Sequence, residues 1–118
     1  MSQKTSLLTL SVKATAAIAA HTFVTVAGAT AAAGADAHGV ALCDAASGDL
    51  FGADVLGTTI VKVDADITAG ARLAVGASGG VKPAVASSYV VARALTAASA
   101  GDLTEVLLFQ GGPTIPAA

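Results

Sequence analysis

At 118 residues, with eight acidic and six basic side chains and a formal net charge of −2, the chain can bury one modest core and lacks the charge excess of a nucleic-acid binder. Hydrophobic residues reach 54% and mean hydropathy +0.76, but 30 alanines account for most of this, and Ala adds little apolar area per residue. Aromatics at 3% leave the core to Val, Leu and Ile, and the lone Cys43 excludes an intrachain disulfide and a cysteine metal cluster.

From the N-terminus, Met1–Ser6 is polar and reads as a flexible arm. Leu8, Leu10 and Val12 alternate with Thr9, Ser11 and Lys13, the pattern of a half-buried strand. Lys13 interrupts this apolar run too early for a signal peptide. Ala14–Ala35 is uncharged and long enough to span a bilayer, yet its His21, threonines and glycines argue against that, so no membrane partner is expected. His21–Ala27 is the clearest strand pattern of the first half, and Ala29–Asp36 reads as a small-residue loop. Val40–Cys43 is a short apolar run ending in the turn cluster Asp44–Asp49. Leu50–Leu56 contains Gly52, which predicts a short or bulged strand, whereas Thr58–Val63 is plainly β-branched.

The second half is more sharply punctuated. Ile67–Ala71 begins a turn, Arg72–Val75 is a strand, Gly76–Gly80 a glycine-rich reversal, and Val81–Val85 a further extended segment that Pro83 keeps from a fully paired central position. Val90–Leu95 and Leu103–Phe109 form two apolar arms around small residues ending in Gly101-Asp102, the composition of a hairpin. Centring its turn on Ser99 sets Arg93 opposite Glu105 as a cross-strand charge pair. The rival reading is a helix over Val90–Ala100 that Gly101-Asp102 would end. Gly111–Ala118 has no periodicity. Many short strands with turn signals every 8–12 residues predict an all-β fold, a small β-sandwich or barrel of antiparallel strands and hairpins between a flexible N-terminal arm and a C-terminal tail. The expected organisation is an arm over 1–6, one β-rich domain over 7–111 and a tail over 112–118.

A weak internal echo accompanies this pattern. Ala45-Ala-Ser-Gly-Asp-Leu50 returns as Ala97-Ala-Ser-Ala-Gly-Asp-Leu103 with one alanine inserted, and Ile18, Ala20, Val24 and Val26 match Ile67, Ala69, Leu73 and Val75 at an offset of 49. The echo is either coincidence in an alanine-rich chain or a pseudo-repeat of 18–56 on 67–108.

No residue set nominates catalysis. His21, His38 and Cys43 lack the paired short spacings and the fourth ligand of a zinc site. Cys43 between Leu42 and Asp44 has no base nominated beside it and reads as a small buried apolar residue. Asp64 and Asp66 permit a cation but read as a solvated strand end, and Gly76–Gly80 lacks the Lys-Ser/Thr and helix of a phosphate loop. The chain is therefore expected to be no enzyme and to hold no cofactor or metal. An aromatic-lined ligand barrel is opposed by the single Tyr and three Phe. An alanine-rich bacterial surface or adhesin-type domain would require export, which the N-terminal sequence does not favour.

Taken in order, Gly39-Val-Ala-Leu42, Ile67-Thr-Ala-Gly-Ala-Arg-Leu-Ala-Val-Gly-Ala-Ser-Gly-Gly-Val-Lys-Pro-Ala84 and the Val90–Leu108 segment resemble the tailed-phage capsid decoration, or cement, proteins. The resemblance runs from Gly39 to Gly111. It departs at Tyr89 and Val90, where that family carries Gly, and Ala14–Ala35 matches no motif of it. What the resemblance implies is a β-rich structural protein, made in the host bacterial cytoplasm, that sits on the virion exterior at capsomer junctions. Its partners would be the major capsid protein and itself, often as a homotrimer, and it would stabilise the expanded shell. Two further expectations follow from the residues. A thin aliphatic core with little charge favours self-association or weak stability alone. The arm residues Ser2, Gln3, Lys4 and Thr5, with Leu8 and Leu10 of the following strand, are expected to contact the shell or a neighbouring protomer, because an edge strand offers unpaired N–H and C=O groups to another sheet.

Overall fold

Alternating apolar residues and β-branched runs become strands along the whole chain, and no helix occurs among the described residues. The computed structural model describes residues 6–85 and 88–108. The strands are β1 (Ser6–Lys13), β2 (Phe23–Val24), β3 (Gly39–Ala41), β4 (Leu50–Lys62), β5 (Arg72–Val75), β6 (Val81–Pro83), β7 (Ala92–Ala94) and β8 (Leu103–Leu108). Paired antiparallel, they follow the order β2-β3-β4-β8-β7-β5-β6, with β1 added to β4. The sheet curls into a half-barrel. Its far strand returns toward the end of β4, where Val63 bridges Val81 in parallel and Asp64 N–H donates to Val81 O at 2.8 Å.

The long strand β4 joins the two parts. Its first half lies between β1 and β3, with Ala53 facing Leu10 on one side and Ala41 on the other. The second half pairs with β8 from Thr58↔Leu107 to Lys62↔Leu103. The sequence predicts a short or bulged strand around Gly52, yet β4 runs through it for 13 residues. A Cβ at Gly52 would lie 3.1 Å from Leu42 Cδ1 and 3.2 Å from Thr9 Cγ2, so glycine serves close side-chain packing here rather than interrupting the strand. The change of partner falls at Gly57, whose φ of +95° is readily adopted only by glycine.

The register of the last hairpin corrects one expectation. β7 and β8 pair antiparallel, but Arg93 faces Leu107, and Glu105 faces Ile60 on β4. No helix forms over Val90–Ala100, because the connector is bonded elsewhere: Ala98 exchanges backbone bonds with Ile67, and Ala100 N–H donates to Asp66 Oδ1 at 2.9 Å. These outside anchors set the turn where a free Ser99-centred loop does not. The expected strand over His21–Ala27 shrinks to β2, since a turn closed by Thr25 N–H to Ala29 O at 2.8 Å reverses the chain at once.

One backbone pattern recurs in the two halves. Ile18 and Ala45 exchange bonds of 2.8 and 2.9 Å, and Ile67 and Ala98 exchange bonds of 2.9 and 3.1 Å. Ala14 N–H donates to Asp49 O as Val63 N–H does to Asp102 O, and Gly48 and Gly101, both at φ +93°, donate to Ala14 O and Val63 O. His21 N–H reaches Ala41 O as Gly70 N–H reaches Ala94 O. Ala45–Leu50 thereby corresponds to Ala98–Leu103 residue for residue, without the inserted alanine the sequence suggests.

Two apolar clusters fill the interior. The larger gathers Val61, Val63, Ile67, Leu73, Val75, Val81, Val106 and Leu108 with Phe23 and Val40 from the first half. In the smaller, Val12, Ile18, Val24 and Phe51 pack with four alanines, Ala14, Ala41, Ala45 and Ala53.

Candidate interaction surface

Among the described strands β1 pairs only with β4. The alternation of Leu8, Leu10 and Val12 predicts a strand with one buried face, and only Val12 is buried. Leu7 is 74% exposed, Leu8 41% and Leu10 39%, and Leu56, which faces Leu8, is 40% exposed. The difference is positional. β1 starts beyond the smaller core and reaches it at Val12. Two register shifts, between Ser6 and Leu8 and between Leu8 and Thr9, break the ladder at this outer end. At its middle the strand is fastened by side chains: Thr9 Oγ1 donates to Asp54 Oδ1 at 2.7 Å, and Thr59 Oγ1 donates to Asp54 Oδ2 at 2.8 Å. Asp54 is fully buried, and these two bonds supply its carboxyl oxygens with donors. Of the expected contact residues, Leu8 and Leu10 therefore stand on an exposed sheet margin. Ser2, Gln3, Lys4 and Thr5 lie outside the described residues.

The other candidate residues serve the turns. Asp102 Oδ2 accepts Ser99 N–H at 3.1 Å and Asp49 Oδ2 accepts Ala46 N–H at 3.2 Å, the same clamp in each half. Asp64 Oδ2 accepts both Ser78 N–H (2.9 Å) and Gly80 N–H (3.0 Å), pinning the glycine-rich turn. Asp44 Oδ1 accepts Ala20 N–H at 2.8 Å, and Asp36 Oδ1 accepts Ala37 N–H at 2.9 Å. An open hollow of about 360 Å³ lies between Asp66, Ile67, Ala98, Ser99 and Asp102, but both of its carboxylates already hold backbone N–H groups. No group of three or more His, Cys, Asp or Glu side chains is placed to hold a metal among the described residues. His21 directs Nδ1 at Ile60 O, 3.2 Å away, and Cys43, expected to be buried, is exposed, because it lies past the end of β3, where the chain leaves the core for the turn at Asp44.

What the sequence reading passes over is the grouping of cations. They stand singly along the chain, but Lys62, Arg72, Lys82 and Arg93 all lie on the strands of the second half. Arg72 faces Arg93 directly across β5 and β7, and both are exposed. The signal was present as period-two alternation, with buried Leu73, Ala92 and Ala94 flanking the two arginines.

Comparison with known proteins agrees with this architecture. No curated protein gives a significant match. The crystal structure of the head fiber gp8.5 N base of bacteriophage phi29 is similar in fold, with a TM-score of 0.72 at 22% identity over 90% of this chain and 97% of that one. A family model described as phage cement protein matches residues 1–108. With nearly the whole chain matched, the protein belongs to the phage cement protein family and is a phage structural protein associated with the capsid.

Proposed function

We propose that this chain binds the outer surface of a phage capsid and stabilises the expanded shell, with the major capsid protein as its partner. It acts as a homotrimer, is made in the host cytoplasm, and carries out no catalysis. The observation that carries the reading is the exposure of Leu7, Leu8 and Leu10 on β1, a strand that pairs only with β4 among the described strands. Exposed apolar side chains on a strand are costly to leave in water and are covered by another chain's sheet or groove. Residues 7–111 serve as one domain in which 18–56 and 67–108 are two forms of one unit. Residues 1–6 are the arm that extends β1 onto the shell, with Ser2, Gln3, Lys4 and Thr5 in contact, and 112–118 is the tail. A contact of this size is modest alone. Repetition over a shell and linkage of several subunits make it effective.

The test is occupancy of purified expanded heads by the full chain, by a chain lacking Met1–Ser6, and by a Leu8→Ser/Leu10→Ser double variant. Both changes are expected to lower occupancy and the thermal stability of the heads while circular dichroism stays β-type. Full occupancy by both variants with the fold intact would remove β1 and the arm from the contact. A cryo-EM map with density away from local three-fold positions would refute the trimer.

A further inference from the structure

We infer that the outward face of the second-half sheet is a docking surface for a carboxylate-bearing protein face, which, resting on the function proposed above, is that of the shell subunit. Along β4, β8, β7, β5 and β6, the pairs Lys62↔Leu103, Ile60↔Glu105, Thr58↔Leu107, Arg93↔Leu107, Arg72↔Arg93 and Ala74↔Lys82 share one side of the sheet, which is exposed at Lys62, Leu103, Leu107, Arg93 and Arg72 and covered at Ala74, where Lys82 is half-buried. Val61, Val106, Ala92, Leu73 and Val81 point the other way and are buried. Four of the chain's six cations therefore occupy one face of a protein whose net charge is −2, with Glu105 as the carboxylate among the described strand residues there.

The Arg72–Arg93 pair is the most informative feature. Directly opposed residues of an antiparallel pair have Cβ atoms about 4.5–5.5 Å apart, and like charges so placed repel. A carboxylate seated between two guanidinium groups turns this repulsion into charge-assisted, bidentate hydrogen bonding. Leu103 and Leu107, 53% and 37% exposed, run beside the cations and add apolar contact area. Nucleic acid fits this face less well. None of its paired strand residues is an aromatic that could stack a base, and four cations make a short phosphate track. A protein surface with acidic side chains next to apolar ones matches both bands.

The experiment measures binding of the full chain to purified expanded heads free of the protein, at low and high salt, for the wild type, an Arg72→Ser/Arg93→Ser double variant and an Arg72→Lys/Arg93→Lys variant. The serine variant is expected to bind roughly tenfold or more weaker and to lose most of the salt dependence, with the lysine variant between them, because it keeps the charge and loses the bidentate geometry. A folded serine variant with wild-type affinity and salt slope overturns the inference and leaves the capsid reading standing. Wild-type chain that fails to bind the heads overturns the capsid reading and this docking partner with it. Arginine-dependent retention on double-stranded DNA, absent on heads, replaces the carboxylate partner with nucleic acid.

Discussion

The two halves of the molecule share a set of backbone hydrogen bonds and differ in the side chains around them. Around Ile18 and around Ile67 the same carbonyls meet the same N–H groups, and Gly48-Asp49 and Gly101-Asp102 close the same turn. Around Ile67 ten of the fourteen clustered residues are valine, leucine or isoleucine and three are alanine, whereas around Ile18 half of the cluster is alanine. The glycine-rich turn of the second half is held from outside by Asp64. The corresponding turn of the first half is held by its own Thr25, whose Oγ1 accepts Ala29 N–H at 3.3 Å. One hydrogen-bonded frame thus tolerates both a dense core and a sparse one, because backbone pairing sets the geometry while side-chain volume sets how much stability it adds.

This difference can be broken experimentally, and the largest effect is expected in the denser half. Leu73→Ala removes a fully buried side chain and is expected to cost about 3–5 kcal/mol, while Ile18→Ala, in its alanine-rich surroundings, falls near 2 kcal/mol, as read from denaturant midpoints. Equal losses would mean that the two clusters act as one core. Next in size is Asp64→Ala, which leaves two turn N–H groups without their acceptor and should cost about 1.5–3 kcal/mol. Asp49→Ala and Asp102→Ala each lose one side-chain clamp and are expected to cost about 0.5–1.5 kcal/mol and to agree with each other; a clear inequality would show that the two turns are not equivalent in energy. Smallest is the exchange at the left-handed position shared by His21, at φ +65°, and Gly70, at φ +79°. Gly70→Ala has open space around the new Cβ and should cost about 1 kcal/mol of backbone strain alone. His21→Gly relieves that strain but gives up the ring contact to Ile60 O, and a change in melting temperature too small to resolve is the expected result.

What could be read in advance follows the physics of each signal. β5 was legible residue for residue from Arg72-Leu-Ala-Val, because large and β-branched side chains alternate there between clear glycine boundaries. The fold class was legible for the same reason. Pairing register was not: Arg93 lies opposite Leu107 because Ile67 and Asp66 anchor the connector from elsewhere in the chain, and no local pattern carries that information. The sequence predicts a short or bulged strand around Gly52 because glycine in a strand ordinarily marks an interruption, whereas Gly52 makes room for Leu42 and Thr9, neighbours known only after folding. The exposed margin at β1 was half legible. Alternation gave the strand and its edge character, but where the core ends is a property of the assembled sheet, so the exposure of Leu8 and Leu10 was not.

The shared strand β4 also gives the molecule a line of force. β1 is laid against it antiparallel from Ser6↔Gly57 to Lys13↔Leu50, and the same strand continues without a break into its pairing with β8. A pull on the N-terminal end of β1, directed along the strand and taken up at β8, loads this ladder in shear, so that the uninterrupted part from Thr9↔Asp54 to Lys13↔Leu50 shares the load. Peeling across the sheet would open its bonds one at a time. Thr9 and Thr59, joined through the buried carboxylate of Asp54, act as a pin across that ladder where β1 meets β4. A tether attached at β1 therefore hands its load to β4, whose covalent backbone continues through Gly57 into the valine-rich half.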